Sequence, residues 1–315
     1  MYVVLENSNQ TFAGMFLLLG LSDVYNLKIV FSLLLLVAYL VTLTGNLLLV
    51  FIVRFNHRLQ TPMYFFLSNL SIIDISFSTT VVPKILINTL SQDRSISFLG
   101  CATQLYFHLA LGGTECFILA VMSFDRYNAI CKPLQYNMIM NRKLCFHLAI
   151  GCWTVSFFNS AILTIFTFHL PYCKANQINH FLCEMPPMLH LSCADTWFSE
   201  IVEYVSVALV AAGTFVLILI SYLFITLTIL NIRSTKERQK AFSTCASHLA
   251  VVSLFFGTVL FMHLRPPSSY SPKQDRVVSI LYTVVTPVLN PIIYSIRNKE
   301  IKAALQKSVT LKVFL

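Results

Sequence analysis

Seven stretches of this chain are apolar over the length a helix needs to cross a bilayer, and no other feature restricts its fold as much. About 20 residues carry a helix across ~30 Å of hydrocarbon, and the candidates lie at 27–53, 62–88, 98–130, 142–168, 199–231, 240–264 and 274–296. Runs such as IVFSLLLLVAYLV and FVLILISYLFITLTIL hold no charge at all. Only 11% of the residues are charged, against roughly 25% in a soluble domain, so there is too little charge to cover a folded surface in water. With 13% aromatic residues and only nine Gly and eleven Pro, a disordered or collagenous chain is excluded as well. The fold class expected is an all-α membrane protein, a seven-helix bundle.

The net charge of +9 does not indicate nucleic acid, because no basic patch with aromatic stacking platforms accompanies it. The basic residues sit between the apolar runs, where they set orientation. The connections 54–61, 126–143, 232–240 and 297–315 hold 15 of the 22 Lys and Arg, so that side is expected to be cytoplasmic. Residues 1–26 are then an extracellular N-terminus, 27–296 the spanning domain and 297–315 a cytoplasmic tail. The tail sets Ile301, Ala304, Leu305 and Val309 against Lys299, Lys302 and Lys307, the pattern of an amphipathic helix on the inner leaflet. Eight of the 13 acids, among them Glu184, Glu203 and Asp275, fall outside. MFLLLGL lacks a basic segment before it, so no cleaved signal is expected. Asn9-Gln10-Thr11 is a glycosylation sequon on the outer side, whereas Asn69-Leu70-Ser71 lies within a span.

The second, third and seventh spans carry Asp74, Glu115, Pro83, Pro287, Pro291 and many hydroxyls, so they should face the bundle interior. Asp74 and Glu115, with Asn46 and Asn290 at comparable depth, could hold Na⁺, share a proton or simply bind helices together. Asp125-Arg126-Tyr127 ends the third span on the basic side. Its adjacent charges can form a local ion pair whose breaking frees Arg126, a two-state switch. Cys101, Cys173, Cys183 and Cys193 all fall outside, where disulfides form, and four cysteines permit three pairings. His180-x-x-Cys183 and His190-x-x-Cys193 have zinc or copper spacing, but that chemistry needs free thiolates. Nothing argues for haem, flavin or another cofactor, and H-E-x-x-H, G-x-S-x-G and phosphate-binding Gly loops are missing. Two readings from these residues alone are a receptor and a small transporter or channel using Asp74, Glu115 and Arg126; the chain has no evident internal repeat of the kind many transporters show.

Several strings occur in order along the chain: GN at 45–46, PMYFFLSNLSIID at 62–74, MSFDRYNAICKPLQY at 122–136, the cysteine-rich loop of 173–193, SY at 221–222, KAFSTCASHL at 240–249 and PVLNPIIYSIRN at 287–298. Through them the sequence resembles the odorant receptors of the rhodopsin-like G-protein-coupled class, with a loop like that of the tetrapod subgroup. It departs where the family usually reads MAYDRYVAIC, having Ser123, Phe124 and Asn128, and has Phe255-Phe256-Gly257 for the usual Phe-Tyr-Gly.

The resemblance implies a plasma-membrane receptor that takes a small volatile odorant in the outer half of the bundle. It further implies activation of a heterotrimeric G protein of the stimulatory, olfactory type. Pocket residues carried over are His108, Leu109, Gly112 and Gly113 from the third span, and Ser206 and Val210 from the fifth. Phe256, Val259, Leu260 and His263 from the sixth and Ile280 and Thr283 from the seventh complete it. No acid on this face of the third span offers a counter-ion to an amine, so neutral apolar ligands are expected. The switch set is Asp125, Arg126, Tyr127, Tyr222, Lys240, His248, Asn290, Pro291 and Tyr294. The expected disulfides are Cys101–Cys183 and Cys173–Cys193.

The charge asymmetry makes a direct prediction about orientation. An epitope tag at the N-terminus should stain on intact cells and one at the C-terminus only after permeabilisation; the opposite pattern would reverse the assignment.

Overall fold

The computed structural model describes residues 14–19, 25–91, 93–173, 176–263, 272–297 and 301–304. Seven helices long and apolar enough to span a membrane form the all-α bundle. They comprise Tyr25–Phe55, Pro62–Leu90, Phe98–Cys131, Arg142–Phe168, Trp197–Leu230, Thr235–His263 and a seventh built from Pro272–Ile280, Leu281–Val285 and Thr286–Arg297. Their starts follow local chemistry. Pro62 opens the second at a position where its missing N–H costs nothing. Ser97 Oγ accepts from the Gly100 N–H at 3.0 Å to cap the third, and Asn141 Oδ1 from the Leu144 N–H at 2.9 Å to cap the fourth. The sixth begins at Thr235 rather than the expected 240, because Lys236, Glu237, Arg238 and Gln239 are good helix formers that need no apolar surroundings outside the bilayer.

Half or more of the most apolar window is buried in the second, third, sixth and seventh spans, against 28% in the first, fourth and fifth. The polar second, third and seventh therefore do sit inside. The sixth joins them, which its charge-free run did not foretell. The main apolar core gathers Leu67, Leu119, Ile218, Phe255 and Phe256 around the third helix. Leu33, Leu34, Leu217 and Phe158, each more than half exposed, turn outward to lipid.

At the end of the bundle expected outside, Met15–Leu18 (β1) pairs antiparallel with Ser95–Ser97 (β2) and parallel with Gln177–Ile178 (β3). The apolar MFLL, expected only as part of an uncleaved N-terminus, is thus the central strand of a small sheet, with Phe16 set edge-on against Tyr172 at 5.4 Å. Cys101–Cys183 and Cys173–Cys193 are both bonded, with Cα atoms 5.6 and 5.8 Å apart. Of the acids assigned to the outer surface, Glu184, Glu203 and Asp275 are buried. Of the tail, residues 301–304 are helical, with Ile301 and Ala304 packed on the core and Lys302 exposed; the rest of the tail, and the sequon at Asn9, lie outside the described residues.

Pro291 breaks the seventh helix's own ladder, since its nitrogen cannot donate to the Pro287 carbonyl. Asn46 Nδ2 donates to that carbonyl instead, at 3.2 Å, and also to Thr42 O at 3.0 Å. Gly45 makes the approach possible, because a Cβ there would stand 3.2 Å from Pro291 Cγ. Replacing Asn46 by Ala strands a buried carbonyl, a loss of about 1–3 kcal/mol. A lowered thermal unfolding midpoint of the purified Asn46→Ala protein in detergent is the expected result.

Candidate functional site

The Cys101–Cys183 bond draws the outer loop into the bundle mouth, and the next residue, Glu184, is the polar centre of what lies beneath. Ser279 Oγ donates to Glu184 Oε1 at 3.0 Å, and Tyr282 donates its hydroxyl to the same oxygen. His108 Nε2 stands 3.9 Å from that oxygen and 3.4 Å from the Tyr282 hydroxyl. Burial holds the His180 imidazole below its usual pKa range, so its 3.8 Å contact with Glu184 Oε2 involves a neutral ring at neutral pH and is no ion pair. Gln104 ties the loop to the third helix by accepting from the Cys183 N–H at 3.0 Å. With Cys183 and Cys193 both in disulfides, the loop has no thiolate to offer a metal. Sequence reading places His108 here but misses Glu184, Ser279 and Tyr282. The usable signal was adjacency: a residue next to a tethered cysteine goes where the tether goes.

Below this roof the expected pocket residues do not all meet. Gly112 has room, since a Cβ there would touch only Phe77 Cε2, at 3.9 Å. Gly113 instead serves helix packing: its Cβ would lie 3.2 Å from Ser156 Oγ and 3.7 Å from Val210 Cγ1. Val210, Val259, Leu260 and Phe256 share the central cluster, with the Phe256 ring 5.3 Å from Phe215. Ser206 is bound to Asn159, whose Nδ2 donates to its hydroxyl at 2.8 Å. Leu109 belongs to a separate cluster with Leu105, Leu163 and Met185, and Ile280 to another with Val81, Ile85 and Phe181. Thr283 donates to the Ser279 carbonyl of its own helix, and the His263 side chain lies outside the described residues. Two π-helical segments, Ala208–Ala212 and Leu281–Val285, frame this region and contain Val210, Tyr282 and Thr283. Such wide turns re-aim side chains and recur at functional sites.

At mid-depth Asp74 and Glu115 are 1% and 3% exposed. Asn290 Nδ2 donates to both Asp74 oxygens, at 3.0 and 3.1 Å. Glu115 Oε1, Asn290 Oδ1 and Asn46 Oδ1 are each buried without a hydrogen-bond partner, and oxygens are the ligands that hard cations take.

Toward the basic end, Asp125 accepts from the Tyr136 hydroxyl at 2.8 Å. The expected local pair with Arg126 is not formed within 4 Å among the described residues. Neighbours on a helix do not face each other, so Arg126 turns inward, where one guanidinium nitrogen is buried and unpartnered. The Tyr222 hydroxyl meets His248 Nδ1 at 2.8 Å, their rings stacked 5.7 Å apart. Tyr127 faces away, under Lys132 Nζ at 5.5 Å and beside Phe224. The Lys240 side chain lies outside the described residues.

The family profile described as olfactory receptor matches residues 35–312. The chain belongs to the olfactory receptor family. It is 50% identical to olfactory receptor 5AP2 of Mus musculus over 303 residues, 96% of each chain. It is 46% identical to olfactory receptor 5G3 of Homo sapiens over 311 residues, 99% of each, and 47% identical to olfactory receptor-like protein OLF1 of Canis lupus familiaris over 307 residues, 98% and 99%. This is a family of seven-helix receptors and not of enzymes. The two phenylalanines that depart from the usual family sequence stand differently: Phe124 is 40% exposed at the bundle edge, whereas Phe256 is fully buried among Phe215 and Phe255.

The unlike surroundings of the two glycines predict unlike tolerance. Gly113→Val should drive a branched side chain into Ser156 and Val210 and cost about 1–3 kcal/mol, while Gly112→Val should leave stability nearly unchanged. Thermal unfolding of the two purified variants, with surface level in cells as a second readout, checks this difference.

Proposed function

We propose that this receptor binds small, mostly apolar volatile odorants beneath the Glu184 roof, between the third, fifth and sixth spans. Occupancy biases the bundle toward a state that opens a cleft at its basic end, which a heterotrimeric G protein of the stimulatory, olfactory type enters to raise cyclic AMP. The N-terminus is extracellular, the receptor sits in the plasma membrane, and the tail is cytoplasmic. Family membership carries this reading, and the buried, unpartnered Arg126 nitrogen supports it by supplying a charge that can change partners.

The pocket in this reading is smaller than the set carried over by resemblance. Gly112, Val210, Phe256, Val259 and Leu260 supply apolar wall, with Phe77 at its edge, while His108 and Tyr282 present the polar groups nearest to it. Leu109 and Ile280 act one layer out, through the clusters they belong to. Asp74 and Glu115 hold a sodium ion that favours the resting arrangement, a reading supported by the buried Glu115 Oε1, which has no hydrogen-bond partner. A transporter or channel pathway through these carboxylates is disfavoured by the double Asn290–Asp74 contact, which joins the second and seventh spans where a path would have to open.

Expression with a cyclic-AMP reporter and a screen of pooled volatiles tests the reading. A ligand so found should lose all signalling in Arg126→Ala at normal surface level. In Gly112→Val the preference should move toward shorter or less branched members of a homologous series, by roughly tenfold or more per methylene excluded. Full output from Arg126→Ala, or a uniform loss across chain lengths in Gly112→Val, would refute the respective assignment.

A further inference from the structure

A cleft of about 730 Å³ lies at the basic end of the bundle, far from the outer site, between the first, second and fourth spans. Its floor is apolar, built from Val50, Val53, Leu59, Phe65 and Phe146. Basic residues close it from two sides: Arg54, in the last turn of the first helix, faces Arg142 and Lys143 in the first turn of the fourth. All three are exposed, and among the described residues no carboxylate pairs with them. Among the described residues no acid lines the cleft, while Gln60, Thr61 and Ser68 add neutral hydrogen-bonding groups.

Phe146 is 58% exposed, and Phe51 and Phe55 on the adjoining helix are 56% and 70% exposed. The apolar floor therefore continues onto the lipid-facing surface without a polar barrier. A ligand that matches this shape carries several negative charges on a compact head and an apolar tail that can leave sideways into the bilayer. Basic pockets between spanning helices on the cytoplasmic side hold such lipids. We propose that this cleft is a binding site for a multiply phosphorylated lipid of the inner leaflet, with its phosphates between Arg54 and Arg142–Lys143 and its acyl chain along Phe65 and Phe146. A soluble anion would use the cations but gain nothing from the floor. The proposal rests on the cytoplasmic placement of the basic end, which the epitope-tag experiment settles on its own.

The test uses the full-length receptor in phosphatidylcholine nanodiscs doped with phosphatidylinositol bisphosphate, with lipid retention read by native mass spectrometry after release into detergent. Phosphatidylserine serves as the singly charged comparison and inositol trisphosphate as the soluble competitor. The wild-type chain should retain the bisphosphate lipid in preference to phosphatidylserine. The Arg54→Gln, Arg142→Gln, Lys143→Gln triple variant should lose affinity by on the order of a hundredfold, from roughly fivefold per basic side chain. A second triple, Arg233→Gln, Lys236→Gln, Arg238→Gln, removes equal charge from exposed positions elsewhere on the same side and should retain the lipid. If the cleft triple fails to fold, the single Arg54→Gln and Arg142→Gln variants take its place, each expected to weaken retention by about fivefold. Equal loss in both triples would reduce the effect to net charge and overturn the site. Displacement by inositol trisphosphate at parity would show that the apolar floor contributes nothing, and would overturn the lipid assignment.

Discussion

Inside hydrocarbon, a polar group that finds no partner in the protein has none at all, and the arrangement of this bundle follows from that constraint. The Pro287 carbonyl, released by Pro291, is answered from another helix by Asn46, and Gly45 beside it clears the space the contact needs. Asp74 is answered across the bundle by Asn290. These contacts join the first, second and seventh helices at mid-depth, and they explain why the polar second and seventh spans are among the buried ones. The same logic marks what is left over, including Glu115 Oε1, the Asn290 and Asn46 amide oxygens, the Tyr294 hydroxyl and one Arg126 nitrogen. Unmet polar atoms buried inside a receptor form a reserve of interactions that an alternative packing can draw on.

Much of this was legible in the residues themselves. Apolar length alone marks seven spans, with boundaries that differ from the observed ones by a few residues except where the sixth helix extends to Thr235. Polarity ranks the second, third and seventh spans as interior. What it could not do was rank the sixth, whose burial depends on neighbours and not on its own charge. The outer cap was also hidden, because MFLL carries no alternation to mark it as a strand; its pairing partners are distant in sequence and only the fold brings them together.

The outer site was half legible. Helical spacing puts His108, Leu109, Gly112 and Gly113 on one face, and the structure then divides them: a residue buried under Glu184, one in a separate apolar cluster, one beside free space and one against Ser156. A face of a helix in a bundle touches more than one neighbour, so sharing a face does not mean sharing a cavity. Glu184 was counted among outer acids because loop residues default to solvent, yet the disulfide beside it places it among Ser279, Tyr282 and two histidines. The π-helical turns at Ala208–Ala212 and Leu281–Val285 leave no mark in sequence periodicity, though they decide which way Val210 and Tyr282 point.

The three-stranded cap has a consequence for biosynthesis. Its central strand, residues 15–18, must wait for 95–97 and then for 177–178 before the sheet can close, so the first of these strands to leave the ribosome is the last to be fully paired. Contacts so distant along the chain form slowly, and until they form Phe16 and Leu18 have no apolar shelter. During that interval the nascent receptor exposes an unpaired apolar strand, the kind of segment to which chaperones bind and at which quality control can hold a chain back from the cell surface.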